Sequence, residues 1–219
     1  EIAARFHRGR SDAVVRLGAT EVARLAGAVA ARALFNPGAK AVYALYAPRF
    51  ARLHADAAIS AAGSAQLCMD LRKGRSDMAY LAGMMHDVGK SIALSSIASL
   101  VLSDKLPREL TDRVLDAAVE RMHVEVGTEM HLEWSLPQYL TTLCSSFHDA
   151  QLSDAAATDE MHVVRVVSSL VCLRSATPEA RVLPELASAT QALGMRAKAL
   201  KVFDHDLTTL SDKMRDAVG

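Results

Sequence analysis

The chain has 219 residues, enough for one large domain or two small lobes around a sizeable core. Hydrophobic residues make up 51% of it but aromatics only 5%, so alanine, leucine and valine must fill the interior. Lysine plus arginine equals aspartate plus glutamate at 25 each, which leaves no electrostatic footprint for nucleic acid or an anionic membrane. No apolar run reaches the roughly 18 residues that a bilayer span requires.

In chain order, Ser11-Asp12 can cap a short helix closed by Gly18, and Thr20 opens a second that ends at Asn36-Pro37-Gly38. Pro48 interrupts the next segment, and Arg49 to Arg72 reads as a long alanine-rich helix stopping before Gly74. Ser76 is placed to cap a helix carrying His86 and Asp87, with Gly89 as its stop. Further helices are expected over Ser91–Leu102, Thr111–Arg121 and His123–Trp134, and from Leu136-Pro137 to Phe147. Gln151 to Asp159 is small and polar, a loop. His162 to Leu173 is rich in valine and could be a strand by propensity alone. Its length and acidic start favour a buried helix. Pro184 starts another helix, Gly194 stops it, and two short amphipathic helices finish the chain. With no hairpin chemistry and no repeat, the expected fold is all-α, with about ten helices. Residues 1–38 are expected to form N-terminal helices that complete the lobe, and 39–219 the main helical domain.

Cys68, Cys144 and Cys172 are odd in number, far apart and inside apolar patterns. They read as buried thiols in a reducing cytoplasm, not as a disulfide frame or a zinc knuckle. The chain opens at Glu1 with no methionine or signal-like segment, which points to a piece of a longer polypeptide.

Chemistry concentrates in Leu81-Ala-Gly-Met-Met-His-Asp-Val-Gly-Lys90. Adjacent helical residues point about 100° apart, so His86 and Asp87 can share a ligand only in the wedge between them. A divalent metal is such a ligand, because imidazole nitrogen and carboxylate oxygen both bind it. The plain alternative is a buried histidine bonded to an aspartate at a helix end. Other ligand-type residues are His54 in Phe50-Ala-Arg-Leu-His-Ala-Asp56, His123 in His-Val-Glu-Val-Gly127, and the pair His148-Asp149. Lys90 is equally readable as a phosphate contact or as a cation complementing a helix dipole. Asp204-His205-Asp206 reads as capping carboxylates at an exposed helix start. His131 and Glu133, two apart on a helix, face different ways and suggest no site. Met84 and Met85 read as core filler.

The sequence resembles the HDOD family, the HD-related output domains within the HD superfamily of metal-dependent phosphohydrolases. The matching blocks are Asp12-Ala-Val-Val-Arg-Leu-Gly18, Leu81 to Lys90, His123-Val-Glu-Val-Gly127, Trp134-Ser-Leu-Pro137 and Leu193-Gly194. They run from about Ser11 to the C-terminus. The family's N-terminal Asp-Pro and Ala-Asn-Ser motifs have no counterpart. The resemblance implies an HD-like helical bundle and an ordered candidate ligand set of His54, His86, Asp87, His123, His148 and Asp149, for iron, manganese or zinc. Two departures bear on activity. HD enzymes close their ligand set with an aspartate where this chain has Ser168 or Ser169, and a neutral hydroxyl is a poor ligand for a hard dication. The HD phosphodiesterases of cyclic di-GMP carry a Gly-Tyr-Pro loop after a His-His pair, whereas here Ala150-Gln-Leu-Ser follows His148-Asp149.

The resemblance therefore implies a cytoplasmic, non-catalytic signalling output domain with a degenerate metal pocket. It would be fused to a sensor or receiver domain or bind signalling proteins, with no nucleic acid and no membrane partner. A homo-oligomer is compatible with it. A metal-dependent phosphohydrolase acting on a nucleotide or phosphoester is the alternative, with a dimerising helical scaffold as a third reading.

Overall fold

A computed structural model describes residues 40–153, 157–175 and 183–216. The helices expected over residues 1–38 lie outside them. All the regular structure among the described residues is helical: α1 (Lys40–Leu45), α2 (Ala47–Leu71), α3 (Ser76–Met85), α4 (Val88–Leu102), α5 (Asp112–Glu133), α6 (Gln138–Ser146), α7 (Asp159–Ser175), α8 (Pro184–Ala192) and α9 (Ala197–Asp216). The all-α expectation holds, with nine helices described against about ten expected.

The 25-residue α2 organises the bundle. Its Phe50 packs with Leu94, Ile97, Val101 and Leu115 of α4 and α5. Ala57 and Ala61 join the core against α3 and α6, and Ile59, Leu67 and Cys68 pack on α7, α8 and α9. Small residues let the helices approach closely. A Cβ on Gly83 of α3 would lie 2.6 Å from the Ser60 carbonyl of α2. Alanine and glycine thus do here what aromatic bulk does in other cores.

Pro48 begins α2 instead of breaking it, since the first turn of a helix has no intrahelical partner for the missing N–H. At the other end Arg72 is left-handed (φ 52°), and the Lys73 amide returns to the Cys68 carbonyl 3.1 Å away. Glu160 of α7 fixes the turn that follows, its Oε1 accepting the Arg75 amide at 2.7 Å. The valine-rich segment is indeed helix. Met161, Val163, Val164, Val166 and Val167 are all buried, so α7 is an interior helix and burial overrides strand propensity.

Four boundaries differ from the sequence expectation. The helix of Ser76 stops at Met85, and His86 and Asp87 form the joint before α4. Gly89 lies inside α4, so it is not a helix stop. A Cβ there would overlap the His123 carbonyl and come 2.8 Å from the Gly127 amide. The segments Thr111–Arg121 and His123–Trp134 are one helix, capped by the Thr111 hydroxyl accepting from the Val114 amide, because Met122 is no breaker. The two C-terminal helices are likewise one, which puts Asp204-His205-Asp206 in mid-helix, where Asp204 pairs with Arg174 of α7. Cys68 and Cys144 are buried as expected, but Cys172 is exposed. No helix among the described residues is long and apolar enough to cross a membrane.

Gly89→Ala should cost about 3 kcal/mol or more, because the added methyl meets backbone that cannot swing aside. For a domain of this size that is a fall of roughly 6–12 °C in melting temperature or loss of soluble protein. Gly194→Ala should cost only about 1 kcal/mol, through its positive φ (67°), since nothing lies within 4 Å of the added carbon. Thermal melts of the two variants check both expectations, and equal losses would contradict the packing role of Gly89.

Candidate metal centre

The break between α3 and α4 sets the site. His86 is the C-cap of α3, and Asp87, in a non-helical conformation (φ −109°, ψ 13°), leads into α4. Both side chains can therefore turn toward one cavity. His86 is buried, packs against the tilted ring of Phe147 at a ring separation of 4.7 Å, and donates from Nδ1 to the Gly83 carbonyl 2.9 Å away. That bond leaves Nε2 as the lone-pair nitrogen of the neutral ring, 3.6 Å from Oδ2 of Asp87. Burial pushes the His86 pKa down, against the attraction of Asp87.

Close packing of α4 on α5 brings His123 to the same place. Its Nδ1 donates to the Glu120 carbonyl at 2.8 Å, and its Nε2 faces Nε2 of His148 at 2.9 Å and Oδ1 of Asp87 at 3.8 Å. Asp87, His123 and His148 each offer an atom such that all three atoms lie within 4.8 Å of one another. An ion with bonds of about 2.1 Å at right angles holds its ligands about 2.9–3.0 Å apart, which matches the two imidazole nitrogens. The orientation of His123 by a backbone carbonyl is also the usual support of a metal-binding imidazole. The three donors fit a divalent ion, with Nε2 of His86 beside them.

The remaining charges are neutralised within the protein. Lys90 places Nζ 2.9 Å from Oδ2 of Asp87 and 3.2 Å from Oε1 of Glu120. Burial alone would raise the Asp87 carboxyl. Lys90, followed by His86 and His123, outweighs it and holds the group below the usual carboxylate range. Burial would likewise lower the Lys90 ammonium, but Asp87 and Glu120 hold it above its ordinary value. His148 is pushed down by burial, against the pull of Asp87.

These groups line a cavity of about 630 Å³ between α2, α4, α5 and α7. Its α2 wall is Arg52, Leu53, Asp56, Ala57 and Ser60. That stripe follows the helical repeat of three and four residues and omits His54, which lies about 100° round the helix from Leu53. Asp149 is exposed and outside the lining; its backbone carbonyl accepts from Arg165. Of the expected ligands the structure thus assembles Asp87, His123 and His148, sets His86 alongside, and places His54 and Asp149 elsewhere. Ser168 and Ser169 of α7 form the far wall; the Ser168 hydroxyl bonds that of Ser60 at 3.2 Å, and Ser169 is buried with no hydrogen-bond partner. Sequence reasoning missed Glu120 and Asp56. Glu120 was findable, because it precedes His123 by one helical turn.

The profile of the HDOD domain matches residues 9–150, well over half of the chain. The chain belongs to the HDOD family. Two solved structures share the fold. One is an HDOD domain protein of unknown function from Geobacter sulfurreducens, 19% identical, with a TM-score of 0.53 over 77% of this chain. The other is a Shewanella amazonensis SB2B protein named as a metal-dependent phosphohydrolase, 18% identical, with a TM-score of 0.61 over 91% of this chain. The chain spans 62% of the Geobacter protein and 71% of the Shewanella one. No curated protein matches it. The HDOD match ends before α7, so beyond residue 150 the relation rests on fold and on the motifs read from the sequence.

Removing one partner of a buried polar pair costs about 1–3 kcal/mol. Asp87→Ala leaves the Lys90 ammonium with Glu120 alone and should lower the melting temperature by roughly 2–12 °C. The loss should be the same with and without chelator, because the partner is a lysine. A loss confined to metal-loaded protein would identify a metal as the partner instead.

Proposed function

We propose that this HDOD domain is a non-catalytic output module of bacterial signal transduction. It acts in the cytoplasm through protein partners, either a fused sensor or receiver domain or a separate signalling protein. Its HD cavity is retained as a degenerate pocket. The observation that carries this reading is Ser169, a buried neutral hydroxyl in the cavity wall with no hydrogen-bond partner. It stands where HD hydrolases are expected to close their ligand set with an aspartate. The three converging donors include one carboxylate, Asp87, which is already paired with Lys90, so its charge is shared before any dication arrives. It is poorly equipped to lower the pKa of a bound water, the chemistry a metal would supply there.

The second reading is a metal-dependent phosphohydrolase acting on a nucleotide or phosphoester. The convergence of Asp87, His123 and His148 favours it, as does likeness in fold to a protein named for that activity. In that case those three residues and His86 would hold iron, manganese or zinc. Lys90 and Arg52, which also line the cavity, would meet the phosphate.

Elemental analysis of protein purified without chelator should find less than one equivalent of iron, zinc and manganese combined. Near-stoichiometric metal that disappears in Asp87→Asn would revive the enzyme reading. Incubation with cyclic di-GMP and added manganese or iron should yield no linear dinucleotide or GMP above a His86→Ala control. Turnover well above that control would defeat the proposal.

A further inference from the structure

His148 lies past the end of α6 with an exposed side chain, whereas His123 is buried in mid-helix. No helix holds it in place. The joint that carries it is tied down by its neighbours instead. Phe147 lies against the His86 ring at 4.7 Å and the His148 ring at 5.0 Å. Asp149 returns its amide to the Ser146 carbonyl at 3.1 Å, and its own carbonyl accepts from Nη2 of Arg165. Arg165 is fully buried on α7 among Met161, Val164 and Val166. Burial opposes its charge, with Glu185 of α8 and then Asp149 acting the other way. Nε and Nη1 have no hydrogen-bond partner among the described residues, so the guanidinium is spent on the Asp149 carbonyl. An aliphatic side chain would fill the same space without the cost of a buried charge. Ser168 and Ser169 follow Arg165 by one helical turn, so the three share the face of α7 that meets the pocket.

We propose that Arg165 is a positioning residue for His148. By holding the Asp149 carbonyl from α7, it fixes the joint after α6 so that Nε2 of His148 meets Nε2 of His123. The hydrogen between those nitrogens follows from the same geometry. Nδ1 of His123 donates to the Glu120 carbonyl, so with the ring neutral its Nε2 is a lone pair and Nε2–H of His148 is the donor. Arg165 thereby sets which nitrogen of His148 carries the hydrogen, and where that nitrogen would stand for an ion. Residues 148–151 are exposed, so without the guanidinium the joint can turn and carry the imidazole away from His123. The inference rests on the pocket already described and names what holds its exposed edge.

Two measurements on the full-length chain test it without recourse to activity. In metal-free protein, heteronuclear imidazole spectra taken where the rings are neutral report which nitrogen of His148 bears the hydrogen. Wild type should show the Nε2–H form, and Arg165→Met a mixture with the Nδ1–H form. In a Mn2+ titration followed by the electron spin resonance of the free ion, Arg165→Met should bind at least about tenfold more weakly. Arg165→Lys, which keeps a charged donor for the carbonyl, should stay within about threefold of wild type and retain the Nε2–H form. Val167→Ala, a cavity in the same helix away from the pocket, should lower stability and change neither readout. Arg165→Gln replaces the methionine variant should that one fail to fold. A folded methionine variant that keeps the wild-type imidazole spectrum or the wild-type affinity overturns the proposal, as does Val167→Ala changing both as much. If wild type holds no Mn2+, the imidazole spectra alone decide. Hydrolysis by wild type would defeat the non-catalytic reading and leave these comparisons standing. A wild-type imidazole spectrum in Arg165→Met, without hydrolysis, would do the reverse.

Discussion

The approach of α4 to α5 at Gly89 is the constraint on which the pocket depends. With no Cβ at that position, the α4 backbone rests against the His123 carbonyl and the Gly127 amide. That contact sets the height of α4 along α5, and everything polar follows from it. Asp87, two residues before Gly89, meets Nε2 of His123, and Lys90, one residue after, meets Glu120. A sideways shift of about an ångström would separate both contacts between the helices, and leave Asp87 and Lys90 only each other. Packing and electrostatics thus depend on the same glycine.

The alanine-rich α2 plays the matching role on the opposite wall. Small residues draw α3 onto it, so His86 at the end of α3 reaches the cavity that Ser60 and Asp56 line from α2. Glu160 pins the turn between these two helices to α7, which carries Ser168 and Ser169. The cavity is therefore a by-product of close helix packing on both sides. Its residues come from five helices and the joints between them.

Fold class was legible because apolar periodicity, prolines and glycines mark helices without reference to partners. The HD doublet and the later histidines were legible as residue types in order. Errors came where the local signal was ambiguous. Gly89 followed an apolar helix and read as a stop, yet it lies in mid-helix because a neighbouring backbone needs the room. His54 attracted attention as a histidine, whereas the stripe of Leu53, Asp56, Ala57 and Ser60 shows which face of α2 meets the cavity. Helical phase is fixed by tertiary packing, and no residue type announces it. Glu120 lies one turn before His123 and was within reach of pattern reasoning. The Lys90–Glu120 contact needed the register of α4 on α5.

A pocket that evolved around an ion usually leaves its ligands mutually repulsive or unpartnered without it, because the ion supplies the missing charge. This pocket differs on the side of Asp87 that faces Lys90. There the carboxylate and Glu120 both pair with the ammonium, at 2.9 and 3.2 Å. Only the other side keeps donors aimed inward, Oδ1 of Asp87 beside two facing imidazoles, opposite a serine hydroxyl without a partner. Half of the site behaves as structure and half retains the chemistry of a ligand set. That division is what the reading proposed above, a degenerate pocket in a regulatory module, expects of these residues.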